Sequence, residues 1–127
     1  MQLAIEHIRV ERGGVYAELR CRPARARVSA EQARAALELL PNLARHVCVN
    51  EKGDSFGDDI VGTEPAHLVE HVAIELMAQR HGSGEGLMGH SSHTGEPGLM
   101  LVKLSYRDDL VALECLSRAV ELVNGLG

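Results

Sequence analysis

The chain has 127 residues, a formal net charge of −5 and a pI near 5.8. This length indicates a single domain, residues 1–127, that can bury a core without disulfide support. The acidic balance argues against a protein that binds nucleic acid or an anionic membrane surface.

The first part of the chain predicts two strands joined by a turn. Residues 2–10 are rich in apolar side chains, but their alternation breaks around His7, which indicates a bulge or an edge position. Gly13 and Gly14 are a hairpin turn signal. Residues 15–22 alternate between apolar and polar side chains, so they are expected to form a half-buried strand.

A helix and a glycine-rich, acidic region come next. Ser29 and Gln32 have the spacing of a capping box, which predicts a helix that begins at Ser29 and stops at Pro41. Residues 50–63 contain several glycines and aspartates, and their spacing does not match an EF-hand calcium loop. We interpret this region as a solvated loop.

The clearest helix pattern spans residues 63–82. Thr63 is placed to cap this helix, Pro65 suits its first turn, and Gly82 is placed to end it. At 100° per residue the apolar side chains form one broad stripe, made up of Leu68, Val69, Val72, Ala73, Leu76 and Met77. The other side carries His67, Glu70, His71, Glu75 and Ala78. We therefore expect the histidines of this helix to lie outside the core.

The polar side of this helix contains His-x-x-Glu-His, the inverted form of the zinc-protease helix motif, at His67, Glu70 and His71. Residues four apart lie one turn apart on the same face, so two imidazoles can meet one Zn²⁺ at about 2.0–2.1 Å each. Glu70 lies beside them, near enough to take a proton from a metal-bound water. The alternative is an ordinary solvated polar face, and the helix alone does not decide, because short motifs often occur by chance.

The last third of the chain predicts a loop, a strand and a helix. Residues 81–98 are rich in glycine but match neither a P-loop nor a dinucleotide fingerprint, so we interpret them as a long loop beside a pocket. Residues 99–106 begin with a continuous apolar run, as in a central strand. Asp108 or Asp109 is placed to cap a final helix that ends near Asn124.

The predicted order of elements is β-β-α-α-β-α. This order is typical of an α+β domain in which about three helices pack on a small mixed β-sheet. No internal repeat or low-complexity region interrupts it.

Cysteine and histidine usage bears on location and chemistry. The three cysteines, Cys21, Cys48 and Cys115, are widely spaced and do not predict a disulfide framework. The sequence shows no signal peptide and no hydrophobic run long enough to span a membrane, so we expect a cytoplasmic protein. Six of the seven histidines fall between His46 and His93, which supports a metal or acid–base site.

One stretch of the chain carries a more specific pattern. Its segments are Leu39-Leu40-Pro41-Asn42-Leu43, His46-Val47-Cys48, Gly62-Thr63 and His67-Leu68-Val69-Glu70-His71-Val72-Ala73-Ile74-Glu75-Leu76. In order and spacing they resemble the N-terminal domain of cyanophycin synthetase, which has Leu-Pro-Gly-Leu-x-x-His-x-Cys and then Gly-Thr-x-x-Gly-His-x-x-Glu-His-Val-Ala-Leu-Glu-Leu. The resemblance continues more weakly into the final strand and helix, and it is only general in residues 1–28.

Cyanophycin synthetase builds a polymer with a poly-aspartate backbone that carries arginine on its side chains. Its two ATP-dependent ligase domains follow the N-terminal domain, and neither is expected within these 127 residues. The resemblance therefore implies the role of the N-terminal domain itself. That role is to hold the polymer and, in some members, to cleave it in a metal-dependent reaction that makes primers.

Three departures from the family pattern bear on the substrate. Asn42 replaces a glycine, and Ala66 replaces the glycine before the first histidine of the motif. His90-Ser91-Ser92-His93 stands where the family tends to have a basic Arg/Lys-Thr-Arg stretch. If that basic stretch contacts the polymer, this protein uses another substrate.

The resemblance also suggests the remaining site residues. A catalytic zinc usually has three protein ligands and one open position. Cys48 is the predicted third ligand, because a short His-x-Cys segment precedes the helix in both sequences, and Glu75 and His46 are its rivals. A free cysteine is, however, often a small buried hydrophobe. For His46 the alternatives are a residue that stabilises the oxyanion, a residue that orients a ligand, and an ordinary surface-loop histidine.

The leading hypothesis is a small hydrolase that depends on Zn²⁺ or another divalent metal and cleaves a peptide or amide bond in a peptide-like or polymer substrate. Glu70 is its predicted general base. A binding or accessory module without turnover is the main alternative. A structural metal site closed by four protein ligands, including Cys48 and Glu75, is the third. The sequence does not define the oligomeric state, and a homo-oligomer is one of the states that it allows.

Overall fold

The computed structural model describes residues 1–50 and 53–127, with all of their side chains except those of residues 49, 50, 53 and 54. The elements in these ranges are, in chain order, β1 (Gln2–Glu11), β2 (Gly14–Arg22), α1 (Ala30–Leu39), a 3₁₀ helix (Pro41–Arg45), β3 (Val47–Asn50), β4 (Gly53–Ser55), α2 (Phe56–Asp59), α3 (Pro65–His81), β5 (Gly89–His93), β6 (Leu99–Leu104) and α4 (Asp109–Asn124). No helix in the described ranges is long and apolar enough to cross a membrane.

Four strands form one sheet in the order β1-β2-β6-β5, and β3 pairs with β4 in a separate two-stranded ribbon. β6 lies between β2 and β5, which accounts for the continuous apolar run at its start. The α+β class and the approximate order of elements are thereby confirmed. Each of these pairings is antiparallel, where the sequence predicted a mixed sheet, because strand periodicity does not report the direction of the neighbouring strand.

One face of the four-stranded sheet is buried and packs against α3 and α4, which also pack against each other. The inward-facing residues of β2 are all buried, as its alternation predicted: Val15, Ala17, Leu19 and Cys21. The core is almost entirely aliphatic, because the chain has one Phe and no Trp. Burying an aliphatic side chain contributes about 1.5–3 kcal/mol, so the sheet gives α3 a firm support.

The pairing of β1 with β2 shifts register between Ile5 and His7. Ile5 pairs with Leu19 and His7 pairs with Glu18, so one extra residue is accommodated in β1. β1 is an edge strand, where a bulge disturbs only one neighbour. The irregularity predicted at His7 is therefore confirmed.

Local signals predicted most of the helix ends. Ser29 and Gln32 make both hydrogen bonds of the capping box at the start of α1. Gly82 ends α3 in the left-handed conformation, with φ of 78°. Asp108 caps α4 by accepting hydrogen bonds from two backbone N–H groups of its first turn.

Thr63 was predicted to cap α3, but this prediction is wrong. Glu64 occupies the capping position and makes no side-chain capping bond. The Thr63 hydroxyl lies 2.8 Å from His67 Nδ1 instead. The Thr63 hydroxyl therefore contacts the His67 side chain of α3 and does not cap the helix backbone.

Two regions interpreted as loops contain regular structure. β4 and α2 lie within residues 50–63, and β5 lies within residues 81–98. β5 has the sequence Gly-His-Ser-Ser-His, which lacks an apolar alternation. Its pairing with β6 holds it as a strand, since tertiary context overrides weak strand propensity.

Alanine substitutions at Gly98 and Gly95 test how closely the connection between β5 and β6 packs against β2. Both have left-handed φ values, +80° and +94°. A Cβ at Gly98 would lie 2.9 Å from the carbonyl oxygen of Cys21, whereas one at Gly95 would meet no atom within 4 Å. Gly98→Ala is expected to lower the free energy of unfolding by about 1–3 kcal/mol more than Gly95→Ala, because it adds steric overlap to a shared backbone strain. Urea unfolding measures both, and equal losses would contradict the tight approach.

Candidate metal centre

Most of the polar side of α3 is buried, and of the two motif histidines that were expected to lie outside the core, His71 is buried and His67 is half-buried. Glu70, His71 and Glu75 are only 5%, 4% and 6% exposed. They are covered by residues from three other elements, such as Phe56 of α2 and Gly89 of β5. Polar groups that are removed from water must find partners within the protein, so the contacts on this side of α3 define the site.

Three side chains converge between α3 and β3. The Cys48 Sγ lies 3.4 Å from His67 Nε2, and His67 Nε2 lies 3.2 Å from His71 Nε2. One ligand atom from each of the three residues lies within 4.8 Å of the other two. Tetrahedral coordination at usual zinc bond lengths separates ligand atoms by about 3.3–3.6 Å. The two separations that involve His67 are close to this spacing, so the donor set suits one zinc ion.

Phe56 holds the two imidazole rings of α3 in place. It is fully buried and stacks on His71, with 3.8 Å between ring centroids and 15° between planes. It also meets the ring of His67 edge-on at 5.2 Å. Ser55 anchors the start of α2 by accepting a hydrogen bond from the N–H of Gly57. Sequence analysis missed Phe56, although it is the chain's single phenylalanine and lies within the motif-bearing stretch.

Burial favours the neutral form of both histidines. It lowers the pKa of His71 to about 3, and the nearby His67 and His46 add to this shift. Burial also lowers the pKa of His67. A neutral imidazole has the lone pair that a metal ion needs. The rings are therefore in the correct protonation state to act as ligands.

Cys48 differs from the histidines, because its environment disfavours the ligating form. Burial, and then a hydrogen bond with Asp59 and the charge of Asp59, raise the pKa of the Cys48 thiol to about 11. Metal binding at Cys48 must therefore displace a proton, and affinity is expected to increase with pH.

Asp59 is an acidic residue that sequence analysis placed in a solvated loop. It lies in α2 and is 2% exposed. Among the residues that the structure describes, no N–H or O–H group donates to its carboxylate, and the Cys48 thiol is the weak donor that faces it. Its charge acts on both Cys48 and His67. A buried carboxylate whose donor is only a thiol is costly, and a cation at these two residues would offset that cost.

Glu70 lies at the edge of the three-residue cluster. Its Oε2 is 3.8 Å from His71 Nε2. Burial raises the pKa of the Glu70 carboxyl to about 7, and a hydrogen bond with Ser91 opposes the shift. A Cβ at Gly89 would lie 2.8 Å from the Glu70 Cγ, so β5 packs directly against this side chain. Glu70 is held beside the convergent atoms without being one of them.

His46 and Glu75 lie behind the cluster and contact each other. His46 Nε2 is 3.0 Å from Glu75 Oε1, and His46 Nδ1 is 3.0 Å from His71 Nδ1. Glu75 also accepts hydrogen bonds from Asn42 and Gln79. Burial alone would raise the pKa of Glu75, but the three hydrogen bonds outweigh it and lower the pKa. His46 is thus not a surface-loop histidine, and the oxygens of Glu75 are engaged away from the convergent atoms.

A cleft opens beside Glu70 and His71. It encloses about 480 Å³, and α3 forms its floor. One wall is the segment at His46 and Val47, and the opposite wall lies within residues 84–89. Val47 and Met88, which line the cleft, are 79% and 70% exposed. The cleft can accept a small ligand or a short stretch of extended chain.

Asp59→Asn tests whether the buried carboxylate is matched to a bound cation. In metal-free protein, removing a buried charge that is paired only with the Cys48 thiol is expected to raise the melting temperature. In the presence of zinc the same variant is expected to bind the metal more weakly, because a compensating negative charge is lost. Thermal unfolding with a chelator and zinc competition titration measure the two effects. Asp58→Asn, at an exposed neighbouring position, is the matched control.

A lower melting temperature for Asp59→Asn in chelator would show that the carboxylate is already satisfied without a metal. Unchanged zinc affinity would show that Asp59 does not act on the site. Either result contradicts a role for the Asp59 carboxylate in balancing the charge of a bound cation.

Comparison with known protein families agrees with the resemblance found in the motifs. The family of cyanophycin synthase-like N-terminal domains matches residues 26–127. This range contains Cys48, His67, Glu70 and His71, together with the elements that hold them. Among curated proteins, none matches the sequence significantly. The family match covers most of the 127 residues, and the chain therefore belongs to the cyanophycin synthase-like N-terminal domain family.

Proposed function

We propose that this domain binds one divalent metal ion, preferably Zn²⁺, through Cys48, His67 and His71, and that it hydrolyses a peptide or amide bond. The observation that carries the proposal is the convergence of one thiol and two imidazole nitrogens on the buried side of α3. Thiolate and imidazole donors suit zinc. Three protein ligands leave one coordination position open, as catalytic zinc sites require.

Glu70 is placed to move the proton in this reaction. When bound, zinc supplies the Lewis acidity that activates a water molecule near neutral pH. Glu70 accepts a proton from the attacking water, whose oxygen forms the new bond to the carbonyl carbon. Glu70 then gives this proton to the nitrogen as the C–N bond breaks, which yields a carboxylic acid and an amine. Its pKa of about 7 suits a group that must both accept and release a proton.

The cleft and β5 support an extended, amide-bonded chain as the substrate class. In the described ranges β5 pairs with β6 alone, and Gly89 at its start lines the cleft. An extended backbone can add to such an open strand edge. A cyanophycin-like polymer is the first candidate because of the family. The exposed His90 and His93 of β5 replace the family's basic stretch, so the charges offered to the polymer differ.

A binding module without turnover is the second candidate. The observation in its favour is that the cluster is already internally bonded, with contacts from His67 to both Cys48 and His71. A satisfied polar network of this kind can be stable without a metal ion. A structural site closed by four protein ligands has less support, because Glu75 is engaged by Asn42, His46 and Gln79.

Glu70→Gln separates metal binding from chemistry. The amide keeps the size of the side chain but cannot accept a proton. Zinc content, measured by mass spectrometry, is expected to be unchanged, while the hydrolysis rate falls by roughly 10²–10⁴-fold. Substrates to compare are cyanophycin, short aspartyl-arginine peptides and plain peptides, with release of new amino groups as the measurement.

Three controls make this experiment decisive. His67→Ala and His71→Ala are expected to lose both metal and activity, whereas Glu114→Gln, an exposed site on α4, should change neither. Loss of zinc from Glu70→Gln would make Glu70 a ligand and the mechanism wrong. If the wild-type protein cleaves none of the substrates with zinc, manganese or cobalt, the binding module becomes the better explanation.

Gly89→Ala tests whether β5 fixes the position of Glu70. A Cβ at this position would lie 2.8 Å from both Glu70 Cγ and Ile74 Cδ1, so Glu70 must shift. Activity is expected to fall by up to about 10²-fold with zinc content retained, because small displacements of a catalytic group are costly. Gly13→Ala is the control, since a Cβ there meets no atom within 4 Å and Gly13, like Gly89, has no left-handed φ. Full activity in Gly89→Ala would show that this contact does not matter.

A further inference from the structure

We propose that Glu75 and His46 form a hydrogen-bonded relay that fixes His71 in the tautomer whose Nε2 lone pair faces the metal position, and that His67 changes tautomer when the metal binds. This inference rests on the proposed metal site. It makes His46 and Glu75 positioning residues, which act on the metal position through His71.

The relay begins at Glu75, because an ionised carboxylate can only accept hydrogen bonds. Its Oε1 accepts from the Asn42 amide at 3.0 Å, and its Oε2 accepts from the Gln79 amide at 3.2 Å. His46 Nε2 lies 3.0 Å from the same Oε1. This nitrogen must therefore be the one that carries the hydrogen of the His46 ring.

The position of the hydrogen on His46 then determines which ring donates in the hydrogen bond between His46 and His71. A neutral imidazole has a single N–H, so His46 Nδ1 is an acceptor. His71 Nδ1 lies 3.0 Å away and must donate to it. His71 Nε2 is left with its lone pair, and it faces His67 Nε2 at 3.2 Å. His71 thus has its ligand tautomer before a metal ion arrives.

His67 is held by a group that allows either tautomer. Its Nδ1 lies 2.8 Å from the Thr63 hydroxyl, which can donate or accept. Without metal, His67 Nε2–H donates to the lone pair of His71 Nε2, and Thr63 donates to His67 Nδ1. A metal ion needs the lone pair on His67 Nε2. The His67 ring then takes its Nδ1–H form, and the Thr63 oxygen becomes the acceptor.

Asn42 donates a hydrogen bond to the relay, and it is a position at which this chain departs from its family pattern. It stands where the family pattern has a glycine, which has no side chain to donate a hydrogen bond. Here its amide donates to the same Glu75 oxygen that faces His46. Glu75 is therefore oriented by one more hydrogen bond than a glycine at this position would permit.

Nitrogen NMR of uniformly ¹⁵N-labelled protein tests the relay directly, because protonated and unprotonated ring nitrogens have distinct chemical shifts. In metal-free protein His71 is expected to carry its hydrogen at Nδ1, and His67 at Nε2. After one equivalent of Zn²⁺, both rings are expected to carry it at Nδ1. A metal-free His71 with its hydrogen at Nε2 overturns the relay. The measurement on metal-free protein needs neither metal nor hydrolysis. The relay can therefore be wrong while the proposed function is right, and the proposed function can be wrong while the relay is right.

Variants of Glu75 distinguish positioning from a general loss of structure. Glu75→Met removes the acceptor and is expected to give mixed tautomers of His71 and a zinc affinity about 10–100-fold weaker. Glu75→Gln keeps an oxygen that can accept from His46, and it should restore the Nδ1–H form and most of the affinity. Gln79→Ala removes a donor to the other carboxylate oxygen and should leave the His71 tautomer unchanged.

His46→Phe provides a second route if Glu75→Met does not fold. It removes the acceptor for His71 Nδ1 while keeping an aromatic ring, and it is expected to shift His71 toward the Nε2–H form. If Glu75→Met and His46→Phe both keep the wild-type tautomer of His71 and the wild-type affinity for zinc, the proposal is overturned.

Discussion

The stacking of Phe56 on His71 closes the polar side of α3 against water, and the rest of the site depends on this closure. Once water is excluded, each polar group needs a partner within the protein. Thr63 and His46 supply partners for the two imidazole rings, while Asp59 faces only the weak thiol donor of Cys48 among the described residues. The proposed cation would lie beside this carboxylate and offset its charge.

Two glutamates of α3 have opposite environments in this closed region. Glu70 has a hydrogen bond with Ser91, but burial outweighs it and raises the pKa of Glu70 to about 7. Glu75 accepts hydrogen bonds from His46, Asn42 and Gln79, and these lower its pKa in spite of burial. Carboxylates in contrasting environments commonly divide into a proton-transfer group and a charged partner. The proposed mechanism follows the same division, with Glu70 as the proton-transfer group and Glu75 as the positioning group.

β5 connects the scaffold to the site. Its pairing with β6 joins it to the main sheet, and the close approach of Gly89 presses it against Glu70. The same glycine lines the cleft, so one strand both positions the proposed base and borders the space for a substrate. A change in β5 is therefore expected to affect catalysis before it affects metal binding.

The sequence by itself determined the features that depend on neighbouring residues. The capping box at Ser29, the end of α3 at Gly82, the alternation of β2 and the one-turn spacing of His67 and His71 are all local, and the motifs were sufficient to indicate the family. The class of fold followed from the order of these elements.

Only the tertiary structure decided which side of α3 is buried and what covers it. The contact between Cys48 and His67 joins residues 19 apart, and that between His46 and Glu75 joins residues 29 apart. Phe56 and Asp59 enter the site because α2 folds over α3, and β5 is a strand because β6 pairs with it. Helical periodicity reports which residues share a face, but the partner of that face is set by packing between distant segments.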